Sequence, residues 1–348
     1  MRFIINKAVY ALLVITGVVI LIFVMFQGLG DPVKMMVGQT GNQATLQNIR
    51  KDLNLDEPGW KQLFLYINDV SPVSVHTREE IDRKGLKGYF SGDNTQFGIK
   101  TPYLGRSYQT RRPVTDVLME ALPGTLILAL AAMLVACIGG ISLGIVSAIK
   151  KDTWIDNSAI LTSIAGVSAP SFFMAIIIAY VLGILLHPYT GLNFTGSLYA
   201  MDDVTGEKYL SLKNLILPAI TLGIRPLAII TQLTRSSMLD VLNQDYIRTA
   251  YAKGLKKRRI ILKHALPNAL NPVITAITGW MAELLAGAFF IEYIFGWNGI
   301  GKITVDALEK LDYPVVMGSV LLSACIFVLI NILADIIYSW IDPRISRS

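Results

Sequence analysis

Residues 245–267 read DYIRTAYAKGLKKRRIILKHALP, a basic stretch between two long apolar ones. Lys253, Lys256, Lys257, Arg258, Arg259 and Lys263 follow Arg248, and the stretch closes on Pro267, so it cannot itself cross a bilayer. It lies beside the membrane. Tyr246 to Lys253 reads as a short helix. Gly254 stands where a helix commonly ends in a left-handed residue, and a second helix restarts at Lys256 and runs to Pro267. Ala250, Ala252 and Gly254 make a strip with almost no side chain, which lets another backbone approach, and the cations around it suit an acidic rim. A basic loop held only by anionic lipid needs the charge but not the small strip, the glycine or the proline. The stretch therefore reads as a docking surface for a protein partner.

Working outward, the composition agrees with a membrane location. The 348 residues are 53% hydrophobic and only 16% charged, with a mean hydropathy of +0.52, too apolar for an ordinary soluble domain. The net charge of +6 is explained by cations in loops on one membrane face. Nucleic acid is excluded as a partner, because no basic face is interleaved with aromatic residues. Cys137 and Cys325 both lie in apolar spans, where neither metal nor thiolate chemistry is favoured.

Six spans are expected. Residues 8–26 carry no charge over 19 positions, roughly 28 Å of helix, and are read as a retained first span rather than a cleaved signal. Residues 31–113 are polar and turn-rich, notably at Ser91-Gly92-Asp93-Asn94, and read as a soluble insertion. Residues 122–149 make the second span, with Gly140 and Gly144 providing a strip for close helix packing. Residues 158–186 make the third, with a kink at Pro170, and a polar loop over 187–213 follows. Residues 215–233, 272–295 and 314–341 complete the set. With the N-terminus inside, the inner pieces hold Arg2, Lys7, Lys150, Lys151, the eight cations from Arg235 to Lys263, Arg344 and Arg347, against Lys208, Lys213, Lys302 and Lys310 in short outer loops.

The spacing in residues 245–267 resembles the cytoplasmic EAA motif of permease subunits of ATP-binding-cassette importers. Arg248, Thr249 and Ala250 stand at the EAA positions, Gly254 at the glycine, and Leu266 and Pro267 at the terminal Leu-Pro. Arg248 and Thr249 depart from the general Glu and Ala, and His264 replaces an aliphatic residue. YIRTAxAKGL followed by HALPNAL is nevertheless similar to the dipeptide and oligopeptide permeases. LNLDEP, LPAxTL at Leu217 to Leu222, ExxFxWxGxG at Glu292 to Gly301, and the Asp342-Pro343-Arg344 ending extend the likeness, whereas residues 73–92 look longer than that pattern requires.

The resemblance implies an all-α membrane protein of type I importer permease fold, with six transmembrane helices and an extracytoplasmic insertion after the first. Its parts would be an N-terminal end and first helix over 1–30, the insertion over 31–115, a core over 116–341 containing an inner loop at 235–270, and a cytoplasmic tail over 342–348. The implied partners are a second homologous permease, two ATPase subunits inside and a substrate-binding protein outside, in the inner membrane of a prokaryote with both termini cytoplasmic. Asp245, Tyr246, Arg248, Thr249, Ala250, Ala252, Gly254, Leu266 and Pro267 would couple to the ATPases. Peptide is the implied cargo, while nickel and glutathione importers use similar permeases.

No phosphate-cradling G-x-x-x-x-G-K-[ST] occurs, so the chain is not expected to be an enzyme. ATP and Mg would be bound by the partner ATPases, and no cofactor or metal site is expected in the chain itself. His76, His187 and His264 are scattered, and no catalytic Ser-His or paired-carboxylate pattern emerges. Inside the spans stand Arg225, Glu283 and Asp335, costly groups that face a bundle interior or an aqueous path. Glu283, near the middle of the fifth span, is the candidate for the translocation path, against an internal pair with Arg225 or a hydrogen bond to a neighbouring helix. Asp335 reads as structural. A secondary transporter, the competing class, would need an internal repeat and several midplane carboxylates, of which only Glu283 is present.

Overall fold

The computed structural model describes residues 2–28, 50, 56–201 and 205–341. The start of LNLDEP, most of residues 31–55 and the Asp342-Pro343-Arg344 tail lie outside the described residues. In chain order come α1 (Arg2–Gly28), α2 (Gly59–Val70), β1 (Val73–Thr77), α3 (Arg78–Lys84), β2 (Gly88–Ser91), β3 (Thr95–Lys100), α4 (Val114–Ile149), α5 (Trp154–Ser168) and α6 (Ser171–Tyr180). They are followed by α7 (His187–Thr190), β4 (Tyr199–Met201), β5 (Lys208–Leu210), α8 (Lys213–Leu242), α9 (Asp245–Ala252), α10 (Lys257–Arg259) and α11 (Leu266–Ala269). The last four are α12 (Asn271–Gly287), α13 (Phe289–Ile294), α14 (Ile300–Glu309) and α15 (Tyr313–Ile341).

Four of these helices are long and apolar enough to cross a membrane, within Val9–Phe26, Val114–Ile149, Lys213–Leu242 and Tyr313–Ile336. A fifth span results if Trp154–Ser168 and Ser171–Leu185, bent by 111°, count as one. The expected kink at Pro170 is thus a break. Ala169, preceding the proline, is driven to extended backbone at φ −75°, ψ 134° and ends α5. The stretch expected as the fifth span divides at Ala288 into α12, of 17 residues, and the short α13.

Contacts divide the chain into two compact units. In the unit formed by residues 1–121 and 303–325, Val19 and Ile22 of α1 pack with Leu321 of α15, Tyr66 and Val70 of α2 and Leu104. The all-α expectation is corrected here: β1, β3 and β2 form an antiparallel sheet in that order, with Val75 opposite Phe97 and Tyr89 opposite Ile99. The expected turn at 91–94 joins β2 to β3, with Gly92 at φ +132°. Short alternating runs such as VSVHT are what a sheet with one covered face produces. Lys100, buried, donates from its ammonium to the Asp69 and Ser71 carbonyls where α2 ends. The buried Asp312 carboxylate collects the Ser107 hydroxyl at 2.5 Å and the Tyr108 amide at 2.9 Å, fixing the segment that leads into α4.

In the unit formed by residues 122–302 and 326–348, α4 lies close against α8 through the expected glycine strip. A Cβ at Gly140 would meet Ile230 at 2.7 Å, and one at Gly144 would meet the Thr231 carbonyl at 2.7 Å. Leu128, Ala132, Leu217, Ile230, Leu284 and Trp297 form the core. The polar loop over 187–213 carries the β4–β5 hairpin.

In the turn at 292–301, Phe295 and Trp297 are almost wholly buried. Burial is permitted because the indole N–H donates to the Gly124 carbonyl at 2.9 Å. Glu292, fully buried, accepts from the Gly301 amide at 2.7 Å and the Lys302 amide at 3.2 Å, closing the first turn of α14.

Candidate coupling loop and membrane cavity

Residues 245–267 fold as helix, sharp turn and helix. α9 ends in a Schellman motif: the Gly254 amide donates to Tyr251 O at 2.9 Å and the Leu255 amide to Ala250 O at 3.3 Å, with Gly254 left-handed at φ +72°. The chain restarts at α10 and passes through a π-helical turn, Ile260–Ala265, into α11. Pro267 sits at the start of α11, where the N–H that proline lacks is least missed.

One side of this loop is anchored. Ile247, Ala250, Ile260, Ile261, Ala265 and Ala269 are buried together with Ala148 at the end of α4 and Met238 near the end of α8. Leu255 and Leu266 pack partly buried against them. Ala250 therefore faces inward at 7% exposure, and its smallness serves the seating of α9 rather than an open strip. Ala252 and Gly254 are exposed, and a Cβ at Gly254 would meet nothing within 4 Å. Asp245, Tyr246, Arg248, Thr249 and Pro267 are exposed as well, beside the cations 256–259. The Thr249 hydroxyl donates to the Asp245 carbonyl at 3.0 Å, and Arg248 approaches Asp245 at 3.5 Å in water.

Next to this anchor is an ion pair that the sequence reading missed. Asp156, 1% exposed at the start of α5, accepts from Arg235 Nε at 2.6 Å and Nη2 at 2.8 Å. It also accepts from the Ser147 hydroxyl and from the Asp152 amide at 3.0 Å. α4, α5 and α8 are joined through this one carboxylate. The available signal was a lone acid at the start of one apolar run and a lone base near the end of another.

A cavity opens among α5, α6, α8 and α12. Its lining includes Ser171, Thr221, Arg225, Trp280, Glu283 and Leu284. Glu283 is exposed there and makes no ion pair with Arg225 among the described residues, so the expected alternative of an internal pair is not formed. The Arg225 guanidinium stands 5.9 Å over the Trp280 ring. Asp335 is half-buried on α15.

Several apolar helices, one of them broken, with a buttressed basic loop between α8 and α12, define a multi-pass helical membrane protein. The chain belongs to the family of binding-protein-dependent transport system inner membrane components, which residues 140–347 match, while residues 1–129 match the N-terminal region of such components. It is 37% identical to the dipeptide transport system permease protein DppB of Alkalihalophilus pseudofirmus, covering 91% of this chain and 90% of the relative. The probable D,D-dipeptide permease DdpB of Escherichia coli is 36% identical over 96% of this chain and 94% of its own length. The oligopeptide permease AppB of Bacillus subtilis is 33% identical over 99% and 98%. The chain has the type I importer permease fold: it is similar to the MetNI methionine ABC transporter in inward-facing form, with a TM-score of 0.50 and 17% identity over 65% of this chain and 97% of the other.

Proposed function

We propose that the chain is one membrane-spanning permease subunit of an ATP-driven importer of di- or oligopeptides. The observation that carries the transport reading is the loop over 245–267: a small, exposed, positively charged surface at Ala252 and Gly254, seated by buried residues on the ends of α4 and α8. A partner pressing on that surface moves two spans directly. The peptide cargo is supported by the names of the three relatives given above, all dipeptide or oligopeptide permeases at 33% identity or more. Nickel and glutathione have no comparable support.

In this reading the chain is half of a pore, with a second homologous permease completing it. Two ATPase subunits bind ATP and Mg and dock at Asp245 to Pro267, and a binding protein delivers peptide from outside. Six membrane passes follow if α5 with α6 and α12 with α13 each count as one; an even number keeps both termini on one side, and the cation count in the short loops supports the cytoplasmic side, with residues 31–115 outside. Glu283 lies on the path. Reconstitution with these partners tests the proposal. Uptake of labelled dipeptide that requires ATP inside the ATPase compartment is the expected result, and uptake driven by an ion gradient without the ATPases would overturn it in favour of a secondary transporter.

A further inference from the structure

The cavity among α5, α6, α8 and α12 holds one cation and one anion that the fold leaves unmatched. Arg225 and Glu283 both line it and both are exposed, yet among the described residues neither has an ion pair or a hydrogen bond. Charges within membrane spans are costly, and opposite charges on neighbouring helices reduce that cost most simply by pairing. These two do not. The Arg225 guanidinium is instead held over the Trp280 ring at 5.9 Å, and Glu283 follows Trp280 by three residues on the same helix, which places the two on one face. Of the two hydroxyls in the lining, that of Thr221 is already engaged, donating to the Leu217 carbonyl at 2.8 Å, which leaves Ser171 as a further polar group beside the pair.

A ligand with a single charge would satisfy one of these residues and leave the other exposed to an apolar wall. A ligand with a carboxylate at one end and an ammonium at the other satisfies both. We infer that Arg225 and Glu283 form a subsite for zwitterions, Arg225 receiving the carboxylate of a short free-ended peptide, Glu283 its ammonium group, and Trp280 supporting the chain between them. This rests on the peptide-import reading above.

The test crosses protein variants with peptide variants in the whole reconstituted complex. Uptake of a free dipeptide, its N-acetyl analogue and its C-terminal amide is measured for wild type, Arg225→Gln and Glu283→Gln. Loss of a hydrogen bond to a charged group should lower uptake of the free dipeptide roughly tenfold or more in each variant. Arg225→Gln should leave uptake of the amide at the wild-type value, and Glu283→Gln should do the same for the N-acetyl analogue. Variants that reduce all three peptides alike, or none, overturn the subsite. A wild-type complex that takes up no dipeptide with ATP overturns the peptide reading itself. Where the delivery protein refuses the analogues, a free-ended dipeptide with a benzophenone side chain should crosslink to Met174 or Trp280 in wild type and lose that crosslink in both variants. A crosslink that persists in both overturns the subsite equally.

Discussion

At the scale of single residues, Gly254 decides whether the loop over 245–267 can turn. Its φ of +72° lies where a β-carbon costs about 1 to 2 kcal/mol, and the space beside it is open to a partner. Gly254→Leu should therefore lower transport and ATPase association while the chain still inserts and is recovered at wild-type level by detergent extraction. Equal loss of the inserted protein would assign the glycine to folding instead. His76 carries a pH prediction. It is 2% exposed on the covered face of β1, near Asp69, Glu80, Lys84 and Lys100, and burial pushes its imidazole below the ordinary value. The folded state then holds fewer protons at this site than the unfolded chain, so its stabilising contribution is present above the ordinary imidazole value and is lost as pH falls through the lowered one. Protection factors for amide exchange in residues 73–77 should fall between about pH 8 and about pH 5, and His76→Gln should flatten that fall. An unchanged slope in the variant would contradict the assignment.

At the scale of elements, the sequence showed what one helix or loop needs for itself. The glycine pair 140 and 144 announces its packing because only small residues allow that approach, and Gly254 announces a helix end because the turn requires a left-handed residue. What depends on distant partners was not legible. The inward face of Ala250 becomes visible only once Met238 and Ile260 are placed beside it, and the burial of Trp297 only once the Gly124 carbonyl is found to accept from it. The sheet over 73–100 was obscured because its runs are four to six residues long and two of them, GYFS and TQFGIK, contain a glycine. The ion pair of Asp156 and Arg235, separated by 79 positions, left no local pattern. Because it joins α4, α5 and α8, Asp156→Ala strands a partly buried guanidinium and should cost on the order of 3 kcal/mol, read as a lowered melting temperature of the detergent-purified complex. A melting temperature equal to that of wild type would show that the pair contributes nothing to holding the three helices.

At the scale of the whole molecule, the loop over 245–267 is seated on the ends of α4 and α8. The loop over 245–267 continues α8 on one side and leads into α12 on the other, and those two helices carry Arg225 and Glu283 of the cavity. A push on the exposed face of α9 is passed through Ile247, Ala250 and Ile260 to the ends of α4 and α8, since packed side chains transmit displacement. α8 runs unbroken from Arg225 of the cavity to the end on which α9 is seated. The central claim, that this loop is where an ATPase docks, is tested most directly by a single cysteine at Ala252 in a background in which Cys137 and Cys325 are replaced. A disulfide or short-linker crosslink to an ATPase subunit should form, its yield changing between the nucleotide-free and ATP-bound complexes. Absence of any crosslink in both states, from Ala252 and from each other position between 250 and 257, would contradict it.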